Sequence, residues 1–287
     1  MRLFRMRAAV VVLVAGVVLV AAGCGGGSGG SSGGSPSAST ARSVAARPAA
    51  SGGQMMSVDT GARLAVTRPR PGAVVTANAV AFDVRLSHFN VDCRFAGTAN
   101  RSGVGHYHVM LDGALVNMFC GERSRVSLQD VRPGTHTLAF VPADNTHADD
   151  MKAAKKISFT YKPSTPLRAV RALQRAGKPS IRIISPRPGA TVHGGFDLRV
   201  APTNFAFSCA LYGKKDVAGY GHWHANVDST TKGMMGMGTM LGMSCQRSFH
   251  VSLAAIKPGK HTFYAILEDD QHAPTPKAQA SVTLNVR

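Results

Sequence analysis

Apolar and polar side chains alternate along short stretches of this chain. In FDVRL (82–86), Phe82, Val84 and Leu86 alternate with Asp83 and Arg85, and in FDLRV (196–200), Phe196, Leu198 and Val200 alternate with Asp197 and Arg199. Ile157, Phe159 and Tyr161 continue the pattern, as do Val282, Leu284 and Val286. A period of two sets one face on a core and the other in water, the signature of a half-buried β-strand. Pro-Gly pairs at 71–72, 133–134, 188–189 and 258–259 mark turns between such strands.

The stretches come in matched pairs. TRPRPGAVV (67–75) matches SPRPGATVH (185–193), and VSLQDVRPGTHTLAF (126–140) matches VSLAAIKPGKHTFYA (251–265), with order kept throughout. Each copy holds six or seven short strands in about a hundred residues, which predicts an immunoglobulin-like sandwich. The expected fold class is therefore all-β, with tandem Ig-like domains at 63–163 and 179–287.

Between the copies, STPLRAVRALQRAGKPS holds a basic linker, 164–178. Thr165 as cap, Pro166 at the first position and Gly177 as stop predict a short helix. Leu167, Val170 and Leu173 would share one side of it.

The first 23 residues read differently. Arg2, Arg5 and Arg7 precede the apolar run AAVVVLVAGVVLVAA, and small residues lead into Cys24. This is an export signal, and Ala21-Ala22-Gly23-Cys24 looks like a lipobox, which makes Cys24 the expected lipidation site of a lipoprotein anchored to the cell membrane. Residues 24–62, rich in Gly, Ser and Ala, read as a flexible tether.

Of the five cysteines, Cys24 is thereby accounted for, and an exported chain with four left predicts disulfides. Repeat logic selects Cys93–Cys120 and Cys209–Cys245, one in each copy. The formal charge is +18, or +15 without the three signal-peptide arginines, and it is spread over both copies. No aromatic-interleaved basic run indicates nucleic acid. Outside the cytoplasm such a charge favours anionic lipid and envelope polymers, without naming a partner.

Candidate chemistry lies in the histidines. Four pairs match between copies: His106/His222, His108/His224, His136/His261 and His147/His272. Asp112/Asp228 and Asp144/Asp269 match too, while His88, His193 and His250 have no counterpart. Residues two apart on a strand share a face about 7 Å apart, so His106 with His108, and His222 with His224, are placed to converge on one ion. With His136 and His147, or His261 and His272, the nitrogen donors suit Zn(II) or Cu(II). Copy two also carries KGMMGMGTMLGMSC (232–245), whose Met234, Met235, Met237, Met240 and Met243 offer soft sulfur that favours copper. The competing reading makes the same histidines hydrogen-bonded fasteners of turns, in a surface interaction module with basic faces.

The pattern G-H-x-H, P-G-x-H-T, D-x-x-H, present in both copies, resembles an uncharacterised family of exported bacterial domains with an Ig-like fold. The resemblance implies fold and location more than activity. A copper/zinc superoxide dismutase shares His-x-His, but the later histidine spacing here does not reproduce its bridging histidine. No nucleophile elbow, P-loop, dinucleotide fingerprint or HExxH is present, and paired cysteines leave no thiol nucleophile. The expected role is not enzymatic: transition-metal binding, copper before zinc, with no organic cofactor.

Overall fold

The computed structural model describes residues 57–287; the expected export signal, Cys24 and most of the expected tether lie outside them. Copy one contributes β1 (Arg63–Arg68), β2 (Ala73–Val75), β3 (Ala79–Ser87), β4 (Asn90–Val91), β5 (Val104–Leu111), β6 (Ala114–Phe119), β7 (Arg123–Ser127), β8 (Gly134–Asp144) and β9 (Lys155–Tyr161). Copy two repeats them as β10 (Ser180–Ser185), β11 (Thr191–Val192), β12 (Gly195–Thr203), β13 (Ala206–Phe207), β14 (Tyr220–Val227), β15 (Met240–Ser244), β16 (Ser248–Ser252), β17 (Gly259–Glu268) and β18 (Pro274–Val286).

Each copy lays a three-stranded sheet, β1-β3-β7 or β10-β12-β16, against a six-stranded one. The larger sheets run β2-β9-β8-β5-β4, with β6 on β5, and β11-β18-β17-β14-β13, with β15 on β14. The alternation read from the sequence explains the packing. Val80, Phe82 and Val84 of β3 meet Tyr107, Val109, Leu138 and Phe140 of the facing sheet in one apolar cluster. Leu198 and Val200 meet Trp223, Ala225, Phe263 and Ala265 in the other. Burial of such side chains contributes about 1.5–3 kcal/mol each.

Both disulfides form, Cys93–Cys120 and Cys209–Cys245, with Cα–Cα separations of 5.7 and 5.1 Å. They tie the turn before the central strand to the end of the hairpin that follows it, and they mark a chain that folds in oxidising surroundings. Trp223 Nε1 donates to Gln246 O, just beyond Cys245, at 2.8 Å, and Tyr107 OH donates to Gly121 O, just beyond Cys120.

The linker corrects the sequence expectation. Residues 164–178 form no helix, and among the described residues there is no α-helix at all. The linker backbone bonds outward instead. Val170 N–H donates to the Asp130 carboxylate at 3.1 Å, Leu173 N–H donates to Ala218 O at 2.9 Å, and Arg168 O accepts from Gln129 Nε2. A helix of so few residues has little stability of its own to set against such partners. Among the described residues no helix is long and apolar enough to cross a membrane.

The two copies meet closely. Tyr212, Met240 and Met243 of copy two complete the apolar cluster of copy one. This contact explains why β5 and β14 are buried along nearly every residue and not on alternate ones. One face of each strand rests on its own sandwich core. The other, which carries the histidines, is covered as well.

Candidate metal centre

His106 and His108 project from β5 on the face opposite Tyr107 and Val109, and both are buried, His106 completely. The third member comes from the turn after β8. There Asp144 Oδ1 accepts from Thr146 N at 2.8 Å and Ala148 N at 3.0 Å, which folds the chain back and turns His147 inward. His147 adopts φ 63°, a left-handed conformation unfavourable to a side chain with a β-carbon. Copy two repeats the arrangement. Asp269 Oδ1 accepts from Gln271 N and Ala273 N, both at 2.8 Å, and His272 also has φ 63°. The matched D-x-x-H motif is therefore a turn that spends backbone strain to present an imidazole.

The ring nitrogens converge. His106 Nε2 lies 3.1 Å from His108 Nε2, which lies 3.4 Å from His147 Nδ1. In copy two His222 Nε2 lies 3.0 Å from His224 Nε2, which lies 3.5 Å from His272 Nδ1. Each triad offers three nitrogens all within 4.8 Å of one another. Nitrogens bound tetrahedrally to zinc at about 2.0–2.1 Å stand roughly 3.3 Å apart.

Outer partners set the hydrogens of His108 and His147, while the outer Nδ1 of His106 meets no partner among the described residues. His108 Nδ1 faces Asp149 Oδ1 at 2.8 Å, and His147 Nε2 donates to the carbonyl of Met240 at 2.7 Å. With hydrogens on those outer atoms, neutral His108 and His147 turn lone pairs toward each other, and His106 Nε2 points at the same place. A cation between the rings would satisfy all three nitrogens at once, whereas a hydrogen on His106 Nε2 bridges only to His108. Burial supplies the neutral form that coordination needs. It holds His106 well below the ordinary imidazole range and His147 down to about 3, with neighbouring rings adding to the effect. His222 and His224 are held well below it for the same reasons, and His272 down to about 4.

The caps cross between the copies. Met240 belongs to β15 of copy two, yet it accepts from copy one's His147. Reciprocally, His272 Nε2 of copy two donates to Leu115 O in β6 of copy one, at 2.9 Å. β6 pairs with the strand bearing His108 and β15 with the strand bearing His224, so each cap strand links the two triads.

The structure does not bring His136 and His261 to the triads. His136 Nδ1 faces Asp112 Oδ2 at 2.6 Å and its Nε2 faces Arg132 O at 2.8 Å. His261 repeats this with Asp228 at 2.7 Å and Lys257 O at 2.8 Å. Both rings lock the turn at the start of β8 or β17, so of the expected three- or four-nitrogen sites the structure assembles the three-nitrogen form, without His136 and His261. The methionine loop also differs from expectation. Met237 is half-buried and Met240 and Met243 are buried, all packed on copy one's apolar cluster, where the expectation had them gathering freely about an ion. Met234 and Met235 lie in a 3-10 turn, Met234–Thr239.

Four participants escaped sequence reading: Asp149, Glu268 and the carbonyls of Leu115 and Met240. Glu268 is buried, its Oε1 lies 3.6 Å from His224 Nδ1, and its Oε2 has no partner. Burial, with the Asp269 carboxylate beside it, pushes its carboxyl up to about 9.

No family model matches the chain, and no curated protein matches it, so the family resemblance rests on the shared motifs alone. Among solved structures the chain is similar to the fibronectin(III)-like modules of Clostridium thermocellum CbhA, at 10% identity over 78% of this chain and 94% of that one, TM-score 0.24. It is also similar to a tetra-tandem repeat in the extending region of a large adhesion protein, at 10% identity over 78% and 48% of the two chains, TM-score 0.22. A third likeness is the endo-beta-1,4-mannanase from Thermotoga petrophila, at 12% identity over 40% and 21%, TM-score 0.25. These likenesses are too distant to bear on chemistry.

Proposed function

We propose that this chain is a membrane-anchored, extracytoplasmic lipoprotein of two Ig-like domains that holds transition-metal ions at two buried three-histidine sites. Cys24 is its lipid attachment point, and no catalytic step is part of the role. The observation that carries the reading is the convergence, twice over, of three imidazole nitrogens, with the outer nitrogens of His108, His147 and His272 held by acceptors elsewhere. A purely structural network would set donors against acceptors within the cluster. Here the facing nitrogens of His108 and His147 both carry lone pairs once their outer atoms hold the hydrogens.

Copper is preferred to zinc. Met118 stands directly opposite His108 across β5 and β6, and Met243 directly opposite His224 across β14 and β15. Opposed residues of an antiparallel pair share a face, with β-carbons about 5 Å apart. Each copy thus carries one methionine opposite the second histidine of its triad, and a soft sulfur turned toward the ion would favour Cu(I). Three imidazoles alone would serve zinc equally well.

Elemental mass spectrometry on the exported chain, disulfides formed and dialysed against limiting Cu and Zn, tests the reading. Two equivalents of metal per chain are expected, lost when His106, His108, His222 and His224 are all changed to Ala. A folded wild type that retains no metal would make the triads structural and overturn the proposal.

A further inference from the structure

In copy one the second histidine of the His-x-His pair is backed by a carboxylate, Asp149, at 2.8 Å from His108 Nδ1. The residue aligned with Asp149 in copy two is Pro274, which has no side-chain acceptor. The residue aligned with Glu268 in copy one is Ala143. Strand registers confirm these equivalences, because His106 pairs with Ala143 and His222 pairs with Glu268.

The mismatch resolves across one pair of residues. Ala143 bridges Asp149, and Glu268 pairs with Pro274, at the same place in the two copies. Directly opposed residues on antiparallel strands project from the same face, with β-carbons about 5 Å apart. An acid on either member of the pair is therefore directed at the same ring nitrogen, Asp149 at 2.8 Å from His108 Nδ1 and Glu268 at 3.6 Å from His224 Nδ1. Copy one reads Ala–Asp at this position and copy two reads Glu–Pro.

We propose that Glu268 is the positioning carboxylate of the second triad, doing for His224 from one side of this pair what Asp149 does for His108 from the other. The inference rests on the metal-binding reading of the triads. Two further observations support it. Glu268 is only 3% exposed and its Oε2 has no partner among the described residues, a costly arrangement for a carboxyl group with no task. Copy one packs the equivalent position with a methyl group, so the sandwich itself does not need an acid there. With an ion in the triad, a carboxylate on His224 Nδ1 orients the ring, fixes its hydrogen on the outer atom and makes Nε2 a stronger donor.

Exchanging the pairs tests this. In the exported full chain, Glu268→Ala is expected to weaken one of the two metal sites by about 10–100-fold, measured by chelator competition with Cu(I) and separately with Zn(II). Adding Pro274→Asp, which installs copy one's Ala–Asp pair in copy two, is expected to restore it. The converse exchange, Ala143→Glu with Asp149→Pro, is expected to keep the first site intact where Asp149→Ala alone weakens it. Wild type filling both sites, with Glu268→Ala binding as tightly as wild type, overturns the role of Glu268 and leaves the metal reading standing. So does failure of Pro274→Asp to rescue a folded Glu268→Ala chain. If Glu268→Ala fails to fold, Glu268→Gln, which keeps the side-chain shape, takes its place, and undiminished affinity there counts equally against the proposal. A folded wild type that takes neither metal overturns both.

Discussion

Gly97 lies flat against the peptide of Met240: a β-carbon on Gly97 would stand 2.5 Å from both the carbonyl carbon and the oxygen of Met240. Gly213, its counterpart, presses in the same way on the carbonyl of Leu115. These are the carbonyls that accept from His147 and His272. Both glycines also have left-handed φ, 70° and 66°. The seam is thus a reciprocal, two-fold-like contact in which close backbone approach sets the position of each triad's cap.

Substituting Gly97 by Ala should cost about 2–4 kcal/mol, part from left-handed strain and part from overpacking. Gly103 separates the two, because its φ is 71° and a β-carbon there meets nothing within 4 Å. Gly103→Ala should cost only the strain, about 1–2 kcal/mol. Denaturant unfolding gives both values, and chelator competition should show weaker metal holding in the Gly97 variant alone. Equal behaviour of the two variants would mean that the seam does not govern the site.

The turn histidines should separate cleanly from the triads. His136→Ala removes contacts to Asp112 and Arg132 O, and His261→Ala removes those to Asp228 and Lys257 O. Each change should lower stability by about 1–2 kcal/mol, as lost hydrogen bonds to a charged group do, while metal content stays at the wild-type level. Metal loss in either variant, with the melting transition unmoved, would contradict the assignment.

Lys214 sits buried in the second copy with Nζ donating to Tyr212 O at 3.2 Å. Burial holds its ammonium down to about 8, against an ordinary 10.5. A base with a depressed pKa binds fewer protons folded than unfolded between those values, so its contribution to stability improves as pH rises through that window and is constant below it. Lys214→Met should raise stability near pH 7 by about 2 kcal/mol and lose this rise, since the desolvated charge is gone. Thermal melts of both proteins from pH 7 to 10 decide it: parallel curves would rule the effect out.

Opening either disulfide should cost about 3–4 kcal/mol on the chain-entropy account, since the bridges close loops of similar size, with sequence separations of 27 and 36. Cys93→Ser with Cys120→Ser, and the matching pair in copy two, compared by urea unfolding, supply the numbers. A loss well under 1 kcal/mol would place the stability elsewhere.

The sequence revealed those features that repeat locally. Strand alternation located Phe82 and Val84 in one core and Leu198 and Val200 in the other, and repeat logic paired the cysteines. His106, His108 and His147 stood out because each has a partner in copy two, but His136 has one too, and only the strand packing sends it to a turn and not to the triad. What stayed hidden depends on contacts between distant segments. Asp149 and Glu268 do not align with each other, so comparing copies discards them, and only strand pairing shows that they serve equivalent places. The caps from Met240 and Leu115 are backbone carbonyls, which any residue supplies, so no letter marks them. The linker failed as a helix for a related reason. Its capping residues are real, but Asp130 and Ala218 compete for its backbone from outside the segment.

The crossed caps also impose an order of events. His147 takes its acceptor from a residue 93 positions later in the chain, whereas His272 takes its own from one 157 positions earlier. A chain leaving the cytoplasm N-terminus first displays the first three imidazoles well before Met240 arrives. The second three emerge to find Leu115 already outside. Neither cluster is finished until the last strands have crossed and the halves have closed on one another, so the two centres mature together as the final act of assembly. On the proposed metal-binding reading, an ion caught during transit would meet an open, half-built set of ligands, and lasting capture would belong only to the completed chain.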